Sequence, residues 1–81
     1  MKSYKELKPS LAKLGERIYH RRTYKNLAAK EIAHQLCLTP EAYRNIEKGD
    51  SDISFTTLLK IAIVLNIEIT DLIKDISITI F

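Results

Sequence analysis

The chain has 81 residues, a single cysteine and a net charge of +3. A chain of this length forms one domain with a small core, which leaves little room for the deep, water-excluded cleft that many enzymes need. The single cysteine excludes an internal disulfide and favours a reducing compartment. The first fourteen residues do not resemble a signal peptide, and the longest apolar run, residues 61–65, is too short to span a bilayer. We therefore expect a cytoplasmic protein with no membrane segment.

Positive charge is concentrated near the amino terminus. Residues 1–30 carry nine Lys or Arg and two acids, whereas residues 31–81 carry four Lys or Arg and eight acids. A basic half of this kind is compatible with phosphate contacts, but it is also common on the solvated faces of ordinary helices. The charge distribution alone therefore leaves both interpretations open.

A lysine-rich arm precedes the first predicted helix. Residues 1–9 are polar and end at Pro9, which interrupts a helical pattern, so we expect a frayed arm or a short separate turn there. Ser10 is a suitable N-cap for a helix that runs to about Arg22. The buried stripe of this helix is predicted to consist of Leu11, Leu14 and Ile18. Gly15 costs about 1 kcal/mol relative to Ala inside a helix, which predicts close packing against a neighbour.

Two short helices separated by a tight turn follow along the chain. They are predicted at about residues 29–36 and 40–48. Thr39 can accept a hydrogen bond as N-cap of the second helix, and Pro40 suits its first turn. Gly49 ends this helix because glycine tolerates a positive φ angle. The residues expected to face the core are Ile32, Ala33, Leu36, Tyr43 and Ile46.

The second of these helices directs polar side chains away from the core. With Tyr43 as the buried reference and about 100° per residue, the outward residues are Glu41, Arg44, Asn45 and Lys48. A short helix with one buried face and donor-rich side chains on the other suits the reading of a groove. An ordinary solvated helix face fits the same pattern equally well.

The fourth predicted helix is strongly apolar. Ser54 is suited to cap it, and it runs to about Leu65. The residues expected to face the core are Phe55, Leu58, Leu59, Ala62 and Leu65. Three further apolar residues widen this surface: Ile61, Ile63 and Val64. Because the surface exceeds a single stripe, either a fifth segment or another chain must cover the excess.

The carboxyl-terminal part combines a short helix with a strand signal. A fifth helix is predicted at about residues 69–74, with Leu72 and Ile73 in the core. Residues 76–81 alternate strictly and are mostly β-branched or aromatic, which is typical of a strand. One strand needs a partner, either the N-terminal arm or the same strand of a second copy. Pairing across a two-fold axis is favoured because it is self-complementary, and a disordered tail is the alternative.

Four short motifs stand out along the chain: LGERI at 14–18, EIA at 31–33, IEKG at 46–49 and LLKIA at 58–62. Together they resemble the phage repressor and Cro family of helix-turn-helix domains, over about residues 11–73. The resemblance implies an all-α fold, a compact five-helix lambda-repressor-like domain at residues 10–75. The arm at 1–9 precedes this domain, and a short C-terminal β-strand at 76–81 follows it as a candidate dimerisation segment.

The same resemblance implies a function. Members of this family typically bind operator DNA as dimers and regulate transcription. We therefore expect a homodimeric, sequence-specific repressor that binds double-stranded DNA and needs no cofactor. Residues 29–36 become the positioning helix, and residues 40–48 become the recognition helix in the major groove. The resemblance also implies that Arg22 and Glu47 form an ion pair that ties the recognition helix to the scaffold.

The candidate DNA-contacting residues are Thr39, Glu41, Arg44, Asn45, Lys48 and Lys30. Arg44 suits guanine or a phosphate, and Asn45 suits the two-point hydrogen-bonding pattern of adenine. Glu41 can accept a hydrogen bond from the exocyclic amine of cytosine, although phosphates repel its charge. Arg44 and Asn45 are the strongest candidates.

Several positions depart from the family pattern. Ala29 replaces the glutamine that usually contacts a phosphate, and Cys37 replaces the usual turn glycine at a modest steric cost. Acidic residues stand where phosphates are expected nearby: Glu41, Asp50 and Asp52. These departures favour a second hypothesis, a protein-interaction module or antitoxin-like partner that keeps the fold but binds operator DNA weakly or not at all.

The residues that suggest catalysis or metal binding lack the further ligands or catalytic groups that such sites require. His34 and Cys37 lie three residues apart, but two ligands do not make a tetrahedral metal site, and His20 has no spacing partner. Cys37 also lacks the base and orienting group that a nucleophile requires. The two glycines, Gly15 and Gly49, form no phosphate-binding loop. We therefore expect neither an enzyme nor a small-molecule substrate.

Overall fold

A computed structural model of the protein describes residues 4–76, which contain five helices and no strand. The helices are α1 (Tyr4–Tyr24), α2 (Ala29–Gln35), α3 (Pro40–Lys48), α4 (Phe55–Leu65) and α5 (Ile69–Ile73). This architecture confirms the predicted all-α, five-helix fold. Of the strand predicted at 76–81, residues 77–81 lie outside the described part of the chain. None of the described helices has the length and apolar character needed to cross a membrane.

Three of the predicted capping residues, Thr39, Ser54 and Gly49, occupy helix ends. Thr39 Oγ1 accepts a hydrogen bond from the Ala42 amide at 3.1 Å at the start of α3. Ser54 Oγ accepts one from the Thr57 amide at 3.1 Å at the start of α4. Gly49 ends α3 with a φ angle of 74°. Each cap satisfies backbone groups that have no partner within the helix, so these local signals set where the helices begin and end.

The first helix begins earlier than predicted. It starts at Tyr4 and continues through Pro9, so Ser10 is not its N-cap and the boundary placed at residue 9 lies inside α1. Pro9 is the sixth residue of α1, so it lacks the N–H that would donate to the Lys5 carbonyl, and the helix continues with one hydrogen bond fewer in its second turn. Lys8 Nζ also lies 3.8 Å from Asp50 Oδ1, which links this extension to the loop after α3.

The core lies where α1, α2, α3, α4 and α5 meet. It contains every residue predicted to be buried in α2 and α3, together with Leu14 and Ile18 of α1. Leu11, the third residue of the predicted α1 stripe, is half-buried. Leu72 of α5 is fully buried, and Ile73 packs against the cluster. The periodicity of the first three helices therefore predicted most of the core correctly.

The orientation of α4 agrees with the prediction only in part, since Leu58, Ala62 and Leu65 are buried as expected. Phe55 is 66% exposed and Leu59 is 38% exposed, although both were predicted to face the core. Ile61 is fully buried instead, while Ile63 is 76% exposed. Because α4 carries apolar residues on most of its circumference, periodicity could not decide which stripe would pack inward.

Candidate nucleic-acid interface

The backbones of α1 and α3 approach each other closely at Gly15. A Cβ atom at this position would lie 2.4 Å from the carbonyl oxygen of Glu47 and 2.5 Å from that of Ile46. Both distances are far below a van der Waals contact, so only glycine fits. The predicted close packing at Gly15 is confirmed, and its neighbour is the carboxyl-terminal half of α3.

Arg22 and Glu47 are in contact across the same interface. Arg22 Nε donates to Glu47 Oε2 at 2.6 Å, and Nη2 donates to Oε1 at 3.1 Å. Arg22 Nη1 donates to the Leu27 carbonyl at 2.8 Å, so the same guanidinium also holds the linker between α1 and α2. The hydrogen bond with Glu47 raises the pKa of Arg22 although burial opposes this shift. This bidentate geometry fixes the direction of α3 relative to α1.

Tyr43 adds a third donor to the Glu47 carboxylate. Its side chain is fully buried, and its hydroxyl donates to Glu47 Oε2 at 2.5 Å. Burial raises the pKa of the Tyr43 phenol, and the hydrogen bond with Glu47 raises it further. The apolar periodicity of α3 predicts the core position of Tyr43 but not this hydrogen bond. The available signal was the spacing of four residues to Glu47, which puts both side chains on one side of a helix.

A groove of about 600 Å³ runs between α1 and α3 beside this network. Its lining residues are Ala12, Glu16, Tyr19, Arg22, Ala29, Arg44, Glu47 and Lys48. The Tyr19 ring also makes a cation–π contact with Arg22, with its centroid 5.3 Å from Arg22 Cζ. The charge of Arg22 is compensated by Glu47, whereas Arg44 and Lys48 are exposed at the rim.

The structure brings some of the candidate DNA-contacting residues together and separates others. Arg44 and Lys48 share the groove, and neither forms an ion pair within residues 7–76. Asn45 is half-buried and does not line the groove, since it lies about 100° around the helix axis from Arg44. Thr39, Glu41 and Lys30 are exposed outside the groove. The two strongest candidates, Arg44 and Asn45, therefore lie on different sides of α3.

The departures from the family pattern have distinct structural settings. Cys37 adopts a φ angle of 58°, the left-handed conformation of the glycine that it replaces, and is exposed. Ala29 lines the groove at the start of α2 and offers no polar side chain there. Asp50 is partly neutralised by its contact with Lys8. The negative charge after α3 is therefore weaker than the sequence alone suggests.

A second polar region lies between α1 and the end of α5. The Arg17 guanidinium donates to the carbonyl oxygens of Leu72 and Lys74, so it caps the last turn of α5 and ties it to α1. Arg17 is thus committed to holding the fold. Among the described residues, no group of three or more His, Cys, Asp or Glu side chains is arranged to hold a metal ion.

Comparisons with known proteins agree with this geometry. A helix-turn-helix family model matches residues 18–72, from within α1 to α5. No curated protein matches the chain. The chain is similar to the crystal structure of the restriction-modification controller protein C.AhdI from Aeromonas hydrophila, with 31% identity and a TM-score of 0.75. This match covers 79% of the present chain and 97% of that one. The chain therefore belongs to the XRE-type helix-turn-helix family.

Proposed function

We propose that this helix-turn-helix protein is a DNA-binding regulator of transcription that places α3 in the major groove of operator DNA and represses transcription. The observation that carries this proposal is the arrangement of α3. Its inner face is fixed to α1 by Gly15 and by the contact between Arg22 and Glu47. Its outer face leaves Arg44 and Lys48 exposed without an ion-pair partner among the described residues. A rigidly held helix with free cations suits the reading of a groove lined by phosphates.

The groove between α1 and α3 is the proposed seat of the phosphodiester backbone. Arg44 and Lys48 stand at its rim and offer positive charge to a phosphate. Lys30 is exposed in the first turn of α2, next to the groove residue Ala29, and is proposed as a third phosphate-contacting cation. Phosphate contacts position the protein on DNA without reading sequence, and Arg44 is the one of these cations that is also proposed to reach a guanine. They compensate for Ala29, which supplies no side-chain contact of its own.

Sequence reading is assigned to the exposed part of α3. Arg44 can reach guanine, and Asn45 can pair with adenine through its half-buried carboxamide. Glu41 is exposed in the first turn and suits the exocyclic amine of cytosine. Thr39 caps the helix with its oxygen and keeps its hydroxyl proton for a phosphate. The protein would act in the cytoplasm, without a cofactor, and as a binding protein rather than an enzyme.

A homodimer is part of the proposal, since two recognition helices about one duplex turn apart would read a two-fold symmetric operator. Residues 76–81 are the proposed contact, paired with the same segment of a second copy. The other candidate partner for this segment was the N-terminal arm. Residues 4–9 belong to α1, where backbone groups bond along the helix and cannot form a sheet ladder. The similarity to a restriction-modification controller protein supports a regulatory role.

The second candidate function is that of a protein-interaction module with weak operator binding. The observation that favours it is the apolar stripe on α4, which consists of Phe55, Leu59 and Ile63. Exposed large apolar residues of this kind often mark a protein-protein contact. Glu41, on the proposed reading face, also weakens the attraction to phosphates.

Selection of bound duplexes from a random pool tests the two functions. The wild type should enrich a sequence motif at low salt, and Arg44→Ala and Asn45→Ala should each abolish the enrichment. Lys60→Ala is the matched control, because it removes one exposed cation on α4, away from the proposed interface. Binding should weaken steeply as salt rises, whereas an apolar protein contact should barely respond. No enrichment by the wild type at low salt would favour the interaction module.

A further inference from the structure

The hydroxyl group of Tyr43 is more than a means of filling the core. The side chain is fully buried beneath α3, where a phenylalanine would supply almost the same apolar volume. The hydroxyl adds a hydrogen bond of 2.5 Å to Glu47 Oε2, one turn further along the same helix. Because packing alone does not require the hydroxyl, its hydrogen bond with the Glu47 carboxylate indicates a specific role for it.

The Glu47 carboxylate is held by three donors. Tyr43 and Arg22 Nε both donate to Oε2, while Arg22 Nη2 donates to Oε1. A carboxylate has about four acceptor positions, so most of its capacity is directed into the interface between α1 and α3. The Glu47 side chain is 9% exposed as a result. Its negative charge is thereby kept inside the interface and compensated there.

Arg44 is the competing partner for this carboxylate. It lies three residues before Glu47 on α3, a spacing at which oppositely charged side chains meet on a helix surface. Both residues line the groove between α1 and α3, and Arg44 has no ion-pair partner among residues 7–76. If Glu47 rotated outward, it would neutralise the guanidinium that the proposed function assigns to DNA.

We propose that Tyr43 is a positioning residue for the DNA interface: its hydroxyl retains the Glu47 carboxylate in the α1–α3 interface and so leaves the charge of Arg44 free for the phosphodiester. This inference rests on the proposed function. Arg22 donates one hydrogen bond to each oxygen of the Glu47 carboxylate. Tyr43 donates the third, to Oε2, which also accepts from Arg22 Nε. The two residues together define where Glu47 points.

The test measures binding of the full-length wild type and of Tyr43→Phe to a fluorescently labelled random-sequence duplex. Anisotropy is recorded between about 50 and 200 mM salt, at a temperature where both proteins are fully folded. Tyr43→Phe should bind roughly three- to tenfold more weakly at low salt. The slope of log K against log salt should become shallower by up to about 0.9, the value for the complete loss of one phosphate contact, because Glu47 then competes for Arg44.

Two further variants separate positioning from general stability. Ile61→Val loosens the core in α4 without touching Glu47, so it should lower the melting temperature and leave the salt slope unchanged. In an Arg44→Ala background, Tyr43→Phe should cause no additional loss of slope, because the competing cation is absent.

The outcomes distinguish this inference from the proposed function. A wild type that binds with a steep salt slope, together with a Tyr43→Phe protein of equal affinity and slope, would overturn the role of Tyr43 and leave the DNA-binding proposal intact. Equal losses of slope in the parent and Arg44→Ala backgrounds would likewise overturn it. A wild type that does not bind the duplex at any salt concentration would overturn both.

Discussion

The α1–α3 interface and the α4 helix show opposite kinds of packing. In the α1–α3 interface, Gly15 permits backbone contact, and Arg22 is matched to Glu47 by two hydrogen bonds. Each group there has a specific partner at a specific distance. Along α4, by contrast, Phe55 and Ile63 remain 66% and 76% exposed although the helix is the most apolar of the chain.

This difference separates what orients α3 from what fills the core. Polar contacts and close backbone approach are directional, so they fix α3 to within a small range of positions. Apolar burial has no preferred direction, so any one of several apolar stripes of α4 could pack against the core. We therefore expect substitutions in the α1–α3 interface to be costly and substitutions on the outer side of α4 to be mild.

Arg22→Ala should produce the largest loss. The substitution removes two donors from the Glu47 carboxylate, whose side chain is 9% exposed, and leaves a nearly buried charge with only the Tyr43 hydroxyl. We expect the free energy of unfolding to fall by about 3 kcal/mol. Arg21→Ala is the matched control, since Arg21 is exposed on the same helix. Thermal denaturation of both variants measures the difference, and equal melting temperatures would contradict the structural role of the pair.

Gly15→Ala tests the close approach itself. Helix propensity alone predicts that alanine stabilises α1 by about 1 kcal/mol. The structure predicts the opposite, because the new Cβ would lie 2.4 Å from a backbone oxygen of α3. We expect a net loss of about 2 kcal/mol as the two helices move apart. Chemical denaturation decides between the two, and a stabilised variant would show that the helices are not in contact at this point.

Tyr43→Phe sharpens the comparison because it removes one hydrogen bond and keeps the packing. At neutral pH the loss should be about 1.5 kcal/mol, the value of a hydrogen bond to a charged group. Folding raises the pKa of Tyr43, mainly through burial. The phenol therefore contributes fully below the pKa of the unfolded state, about 10, and its contribution is lost as the pH rises above that value.

The stability difference between the wild type and Tyr43→Phe should consequently shrink above about pH 10, by up to about 1.4 kcal/mol per pH unit. Urea denaturation of both proteins across this range provides the measurement. A difference that stays constant with pH would mean that the Tyr43 hydroxyl is not held as a buried neutral donor.

Phe55→Ser should have the smallest effect on the monomer. Its side chain is 66% exposed, so the free energy of unfolding should change by about 0.5 kcal/mol or less. Leu58→Ala, one turn of α4 away and 7% exposed, should cost about 2–4 kcal/mol. Denaturation at low protein concentration compares the two. A large loss in Phe55→Ser that grows with protein concentration would instead show that this side of α4 is buried against a second copy.

Local signals in the chain were sufficient for the bounds of α3 and α4 and, within a residue, of α2 and α5. Thr39, Ser54 and Gly49 act on backbone groups within three or four residues, so their effect is readable without knowledge of the fold. The same is true of the narrow apolar stripes of α2 and α3, each of which offers only one face to the core. Pro9 misled the prediction because a helix can continue past a proline at the loss of one hydrogen bond, and the local sequence does not show whether it does.

The candidate site was predicted in part. Family resemblance pointed to Arg22 and Glu47, and the structure places them in contact. The roles of Arg44, Asn45 and the other proposed DNA-contacting residues stay predictions. The hydroxyl of Tyr43 was missed because an aromatic residue in a buried stripe is read first as core. Its helix spacing to Glu47 became informative only once the carboxylate was known to turn inward.

The positions of α2 to α5, the caps of α3 and α4, and the need for a close neighbour at Gly15 follow from interactions within a few residues, and these were evident from the chain alone. Long-range packing settled the remaining features: which side of α4 is buried, and how Arg22 and Tyr43 share one carboxylate. These features join residues 25 positions apart in the Arg22–Glu47 contact, or depend on how several helices compete for the same core. No local pattern encodes such a competition, because its outcome depends on the shape of every neighbour at once.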